Sequence, residues 1–294
     1  MIDPWLASQI ALKRQQIVER GHVLNYADHA DFLVQDIALI EPARGKSYYL
    51  ATFDNGETQK LTRVSHICDL YDSAQFISWE DWKGPGHCKR VREEALAIGN
   101  EVHEYARVYV SGGSPLPALT TPEARHCARL ARAWWDEVKP LYEVLAQEFT
   151  VWNCVGGWAG TVDLALRYLP DGGIHTRDFK TAAEVGTHYR LQQGAYEIAL
   201  GWLTPQAPSS CALVMLPKPG QAGCETWHEE RLWIYQGEAA PSMQAFAFLN
   251  GTKASLEQAQ RTGGRLSGLP LPPDVDGWWA DRPEMTDAEV EALF

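Results

Sequence analysis

The sequence predicts an α/β protein with a central mixed β-sheet flanked by helices, and three observations carry that reading. Two long stretches with a helical apolar period, at about 89–110 and 122–146, occupy the first half of the chain. From residue 147 the period changes to two, first in Q-E-F-T-V-W-N, then G-T-V-D-L-A-L-R-Y, then I-H-T-R-D-F-K, each bounded by Gly, Pro or Asp. A helical pattern at about 186–202 follows, and two further strand patterns lie beyond it at 210–216 and 226–234.

Each element has a local reason. Residues 5–20 carry a short helical pattern, and 48–64 reads as two strands around Asn55-Gly56, a pair suited to a tight hairpin turn. The loop K-G-P-G at 83–86 precedes the first long helix, which S-G-G-S-P closes at 111–115. The second long helix starts at T-T-P-E, with Thr121 as N-cap and Pro122 in the first turn. A last helix is expected at about 238–261, followed by an extended tail rich in Gly, Pro and acid that packs through Trp278 and Trp279 if it packs at all. The expected organisation is an N-terminal extension at 1–47, a core with a helical insert at 48–261 and an acidic tail at 262–294. There is no internal repeat, and no linker divides the chain into independent domains.

Composition sets the class. With 294 residues, 45% of them hydrophobic, the chain can bury one large core or two modest ones. No apolar stretch approaches the roughly 20 residues that span a bilayer, and the start lacks the pattern of a signal peptide. A soluble cytoplasmic protein with no membrane partner is expected. The six cysteines never fall at C-x-x-C spacing, so neither a disulfide framework nor a zinc ribbon is indicated. The net charge of -12 excludes broad attraction to nucleic acid and confines any such contact to local basic stretches. Two exist, K-G-P-G-H-C-K-R-V-R at 83–92 and A-R-H-C-A-R-L-A-R at 124–132.

The chemistry concentrates in the hairpin at 160–181. If the loop is L-P-D-G, Tyr168 pairs with Gly173, and counting back sets Asp163 opposite Asp178 on one face. Directly opposed residues have Cβ atoms about 4.5–5.5 Å apart. Lys180, two residues on from Asp178, shares that face. Two carboxylates this close repel unless one is protonated or a cation lies between them, so the pair is a candidate site for a hard divalent ion. Lys180 is then placed to act on a water or to hold a phosphate oxygen. The alternative is a surface hairpin in which Lys180 bridges the two aspartates. Val162, Leu164, Leu166 and Phe179 form the opposite, apolar face, which His175 and Arg177 interrupt. Glu148 offers a third carboxylate, and Gln192 and Tyr196 lie at i and i+4 on one helix face.

These residues resemble the PD-(D/E)XK nuclease superfamily in its RecB-like branch. That pattern runs G-x-x-x-H, a strand glutamate, G-x-x-D, D-x-K and Q-x-x-x-Y. The chain has G-N-E-V-H at 99–103, Q-E-F at 147–149, A-G-T-V-D at 159–163, D-F-K-T at 178–181 and Q-Q-G-A-Y at 192–196, in that order. The segment T-R-V-S-H-I-C-D-L at 62–70 also resembles the entry to the core in phage-encoded members and mitochondrial genome-maintenance exonucleases.

The resemblance covers about 48–235 and implies a restriction-endonuclease-like core. It implies that His103, Asp163, Asp178 and the carbonyl of Phe179 bind Mg2+ or Mn2+, that Lys180 is the catalytic lysine and that Glu148 orients the attacking water. Gln192 and Tyr196 position Lys180 or the nucleic-acid strand. The implied activity is hydrolysis of DNA phosphodiesters, exonucleolytic on single strands or ends, in recombination, repair or phage DNA processing. No iron-sulfur cluster is expected, because no group of three cysteines follows the core. A structure-specific endonuclease and a non-catalytic nucleic-acid-binding module are the alternatives. The C-terminal D-A-E-V-E-A-L-F reads as a frayed helix, with docking into a protein partner as the alternative.

Overall fold

The computed structural model describes residues 2–70, 82–114, 116–232, 246 and 249–251. The acidic tail, with Trp278 and Trp279, and most of the helix expected at 238–261 lie outside the described residues.

Among the described residues eight strands form one mixed sheet: β1 (Val34–Ile40), β2 (Tyr48–Phe53), β3 (Thr58–Arg63), β4 (Tyr142–Asn153), β5 (Trp158–Tyr168), β6 (Ile174–Lys180), β7 (Ser210–Met215) and β8 (His228–Leu232). Among the described residues six helices accompany them: α1 (Pro4–Glu19), α2 (Tyr26–His29), α3 (Val64–Cys68), α4 (Pro85–Val110), α5 (Pro122–Val138) and α6 (Thr187–Leu203). The β2–β3 hairpin turns at Asn55-Gly56 as its sequence predicts, with Gly56 at φ 84°. β1, inside the N-terminal segment, pairs antiparallel with β2 and so belongs to the same sheet.

Helix ends follow local chemistry. Asp3 caps α1 by accepting from the Trp5 amide at 2.9 Å, and Thr121 Oγ1 caps α5 by accepting from the Ala124 amide at 3.0 Å. α4 begins at Pro85, inside the expected loop, because proline is tolerated in a first turn. The helix expected over 122–146 stops at Val138. Pro140 cannot donate to a helical ladder and clashes with the preceding turn, so the chain passes through a short 3-10 turn into β4 at Tyr142.

The two faces of the sheet bury different cores. On one, Val102, Ala106 and Val110 of α4 and Ala124, Cys127, Leu130 and Trp134 of α5 pack on Leu164, Leu166 and Phe179. The fully buried Trp134 meets the Phe179 ring edge to face at 5.3 Å. Burial of a side chain of this class contributes roughly 1.5–3 kcal/mol. The second core joins Leu6 and Ile10 of α1 and Leu191, Ala195, Tyr196 and Leu200 of α6 to β1, β2 and Ala165 of β5. Val162, expected beside Leu164 and Leu166, belongs to this second core.

The two residues that interrupt the apolar face of β6 have partners remote in sequence. Arg177, 1% exposed, donates to Glu229 Oε1 at 3.1 Å, Tyr142 Oη at 3.1 Å and the Thr176 carbonyl at 2.9 Å. His175 stacks on Tyr168 with ring centroids 4.9 Å apart and bonds Tyr142 Oη through Nδ1 at 3.0 Å. A buried charge is tolerated where it is paired and hydrogen-bonded, as Arg177 is. A similar device ties the N-terminal segment to the core: buried Asp31 accepts from the Cys154 amide and from Trp202 Nε1 at 3.0 Å.

β5 has one partner on one edge and two on the other. β4 runs antiparallel to it from Asn153 opposite Trp158 to Tyr142 opposite Tyr168. On the other edge β3 lies parallel at Trp158 and Ala159, and β6 lies antiparallel at Leu164–Arg167. Among the described residues no strand pairs with that edge between Gly160 and Asp163, so the sheet forks there. A Cβ at Gly160 would stand 2.6 Å from Tyr196 Cε1 and 3.0 Å from Val64 Cγ2. Glycine is required because α3 and α6 close over the fork.

Two predictions follow from this packing. Gly160→Ala forces the Tyr196 ring to move and is expected to cost about 1–3 kcal/mol in urea unfolding; an unchanged midpoint contradicts the close approach. The second concerns Glu197 on α6, whose carboxyl is buried against the Cys211 thiol. Burial pushes its pKa up to about 7. The unfolded carboxyl ionises first, so stability is full below pH about 4.5 and falls as pH rises to about 7. Relative to wild type, Glu197→Gln should therefore gain about 2–3 kcal/mol between pH 5 and pH 8. Parallel stability curves for the two proteins exclude that assignment.

Candidate active site

The fork sets three carboxylates abreast on β4, β5 and β6. The β5–β6 ladder runs from Arg167 opposite Ile174 to Leu164 opposite Arg177, closed at the turn by the Tyr168 amide on the Gly173 carbonyl at 2.8 Å. The ladder keeps the register the sequence predicts as far as Leu164 and Arg177, and Asp163 and Asp178 follow at the point where the two strands part. Gly172, at φ 75°, and the Asp171 side chain, which accepts from the Gly173 amide at 2.7 Å, shape the turn. On the other edge Gln147 stands opposite Leu164 and Phe149 opposite Val162, which brings Glu148 opposite Asp163.

Glu148 is held in an unusual backbone. Its φ of 47° makes it the non-glycine residue with positive φ among the described residues. The left-handed region costs a side-chain-bearing residue roughly 1–2 kcal/mol. Nothing in Q-E-F-T-V signals this conformation.

His103, from α4, ties the carboxylates to β6. Its Nδ1 lies 3.2 Å from Asp163 Oδ2 and 4.0 Å from Glu148 Oε1, and its Nε2 donates to the Phe179 carbonyl at 2.8 Å. Asp163 Oδ2 also accepts from the Phe179 amide at 2.8 Å. Ligand atoms of His103, Glu148 and Asp163 all lie within 4.8 Å of one another.

A second chain of contacts begins at Asp178, which is 1% exposed and forms an ion pair with Lys180. Lys180 Nζ donates to Gln192 Oε1 at 3.1 Å, and Gln192 Nε2 donates to Tyr196 Oη at 2.6 Å. The structure therefore joins Gln192 and Tyr196 to Lys180, as their spacing on α6 allows. It adds Tyr189, whose ring centroid lies 4.9 Å from Lys180 Nζ. Tyr189 precedes Gln192 by three residues and Tyr196 by seven, so the helical period that singles out those two also reaches it.

The electrostatics record an excess of negative charge. Burial and the Asp163 carboxylate raise Glu148 to about 7 and Asp178 to about 6. Burial also works against ionised Asp163, but the His103 imidazolium and Lys180 hold its pKa below the ordinary value. For His103 burial opposes the charged form and the Asp163 carboxylate outweighs it, raising the pKa to about 9. Lys180 is raised to about 12, because Asp178 and Asp163 overcome its burial.

A hard divalent cation fits this donor set. The Glu148 and Asp163 carboxylates and the His103 imidazole converge, with the Phe179 carbonyl beside His103, while Asp178 stands outside that group against Lys180; oxygen-rich sites of this kind suit Mg2+ or Mn2+. Asp178 Oδ2 is buried and faces the Lys180 ammonium, its ion-pair partner. The protonated His103 supplies the positive charge between Asp163 and the Phe179 carbonyl in this arrangement.

Two sequence features receive a different weight. A Cβ at Gly99, the glycine of G-N-E-V-H, would lie 3.8 Å from Thr181 Oγ1, an ordinary contact, so no clash requires glycine there. The basic stretch at 124–132 uses its arginines locally. Arg125 donates to the Leu119 and Thr120 carbonyls, Arg129 to His126 Nδ1 at 3.0 Å, and Arg132 lies over the Tyr109 ring at 5.2 Å.

No protein-family model matches the chain, and no curated protein matches it. Among solved structures the chain is similar to one described as "Crystal Structure of LHK-Exo in complex with dAMP". The TM-score is 0.36 and the identity 11%, over 69% of this chain and 93% of that one.

Proposed function

We propose that this protein is a divalent-metal-dependent deoxyribonuclease that hydrolyses phosphodiester bonds, acting as an exonuclease on single strands or DNA ends. The observation that carries the reading is the convergence of Glu148, Asp163 and Asp178 on adjacent strands at the fork, with His103 and Lys180 beside them.

Asp163, Asp178 and the Phe179 carbonyl would hold Mg2+ or Mn2+, with Glu148 and His103 at its margin. When bound, the ion supplies Lewis-acid stabilisation of the charge that develops on the phosphate. The remaining work falls to the chain's own groups. Lys180, raised to about 12, stays an ammonium at neutral pH, so it serves as a donor to a phosphate oxygen rather than as a base. Glu148, half-exposed at the mouth, orients the attacking water and takes its proton as the oxygen adds to phosphorus and the bond to the leaving oxygen breaks. Gln192 and Tyr196 fix the lysine's reach, so that Nζ stays on the substrate side of Asp178.

The test is digestion of 5′- and 3′-labelled single- and double-stranded DNA and RNA with Mg2+, Mn2+ or EDTA. Wild type should cut DNA only with metal, and Lys180→Ala and Asp163→Ala should each lose at least about a hundredfold in rate. Activity in EDTA, or full activity in both variants, rules out the site. A folded wild-type protein that binds DNA and cuts nothing returns the chain to a non-catalytic binding role.

A further inference from the structure

The proposed chemistry depends on where the Lys180 ammonium points. A lysine carries its charge at the end of a flexible four-carbon stem, so its direction is set by what surrounds Nζ. β6 supplies one neighbour, Asp178, through the ion pair, and α6 supplies another, Gln192 Oε1, at 3.1 Å. Both are acceptors, and each draws on the three N–H donors of the ammonium. Asp178 is also a carboxylate that a cation would share, so its hold on Lys180 weakens when the ion is present.

Tyr189 holds the same group in a different way. Lys180 Nζ lies over its ring, 4.9 Å from the centroid, inside the roughly 6 Å over which an aromatic face attracts a cation. Tyr189 and Gln192 stand three residues apart on α6, so one helix face presents both to the lysine. The ring is itself held in place. It packs against Ala182, Leu213 and Met215, and Met215 is the residue beside Lys180 in the parallel β6–β7 ladder. The His188 ring lies against it with centroids 3.9 Å apart, and Gly186 leaves room there, since a Cβ at Gly186 would stand 2.9 Å from His188 Nδ1.

We propose that Tyr189 is a positioning residue for Lys180, whose ring face keeps the ammonium aimed so that it meets a phosphate oxygen without rearranging. This rests on the nuclease reading. The aromatic face attracts the charge through its quadrupole and offers no lone pair, so it keeps its hold while the N–H donors turn from Asp178 to the substrate. Tyr189 touches no reacting atom, and its effect on the reaction runs through Lys180 alone.

Two variants separate the ring from its bulk. Tyr189→Phe keeps the aromatic face, and Tyr189→Leu keeps an apolar side chain against Leu213 and Met215 but removes that face. The first measurement uses no metal: NMR of the full chain with carbon-13-labelled lysine, in EDTA, with the Lys180 Cε protons identified by their loss in Lys180→Ala. Those protons should be shifted upfield by the ring in wild type and Tyr189→Phe, and return to the ordinary lysine position in Tyr189→Leu. The second is cutting of a labelled oligodeoxynucleotide with Mg2+. Tyr189→Leu should lower kcat about ten- to thirtyfold at nearly constant KM, and Tyr189→Phe should stay within about twofold of wild type. In a Lys180→Ala background, Tyr189→Leu should cost nothing further. Equal losses in the Phe and Leu variants, or a further loss in that background, overturn the assignment. Cutting by a wild type without the upfield shift overturns the role of Tyr189 alone, whereas the shift without any cutting fails at the nuclease reading and takes the role with it.

Discussion

The hydrogen bond from the Phe179 amide to Asp163 Oδ2 stands where β5 and β6 part, beyond the last ladder pair at Leu164 and Arg177. A backbone donor at a strand end must find an acceptor or suffer the cost of a lost hydrogen bond. Here the acceptor is a carboxylate, which fixes Asp163 against β6. The rest of the site is arranged around that contact. β3 fills the other end of the β5 edge, Gly160 leaves room for Tyr196, and α4 brings His103 to Asp163 Oδ2 and to the Phe179 carbonyl.

Charge then constrains what this arrangement can be. Burying Asp163 and Asp178 face to face raises the free energy of the ionised pair, and Glu148 on the next strand adds a third negative group. Lys180 and protonated His103 offset part of it. Such a cluster brings little to stability, because paired buried charges seldom repay their desolvation. Its retention in a strained backbone at Glu148 is easier to understand as preparation for a cation.

Much of this was legible in the chain. The Asp-Gly-Gly turn predicts the β5–β6 register and with it the meeting of Asp163 and Asp178, because a strand's period of two leaves one register that buries Leu164, Leu166 and Phe179. The spacing of Gln192 and Tyr196 places both on the α6 face that reaches Lys180. What was not legible depends on contacts remote in sequence. The pairing of Arg177 with Glu229 and Tyr142 spans strands β4, β6 and β8, so β6 alone offers only an interrupted pattern. The left-handed Glu148 is imposed by its neighbours and carries no local signal. Pro140 did carry one: it marks the end of α5, which apolar periodicity alone extends too far.

Titration calorimetry of Mn2+ into the full chain, wild type beside Asp163→Asn, addresses the central claim that the carboxylates at the fork share a divalent cation. The account predicts saturable binding in wild type with protons released as His103 gives up its place between Asp163 and the Phe179 carbonyl. The variant, which keeps the side-chain shape and removes the charge, should bind at least about tenfold more weakly. Equal heats and equal affinity in the two proteins, or no binding in either, contradict it.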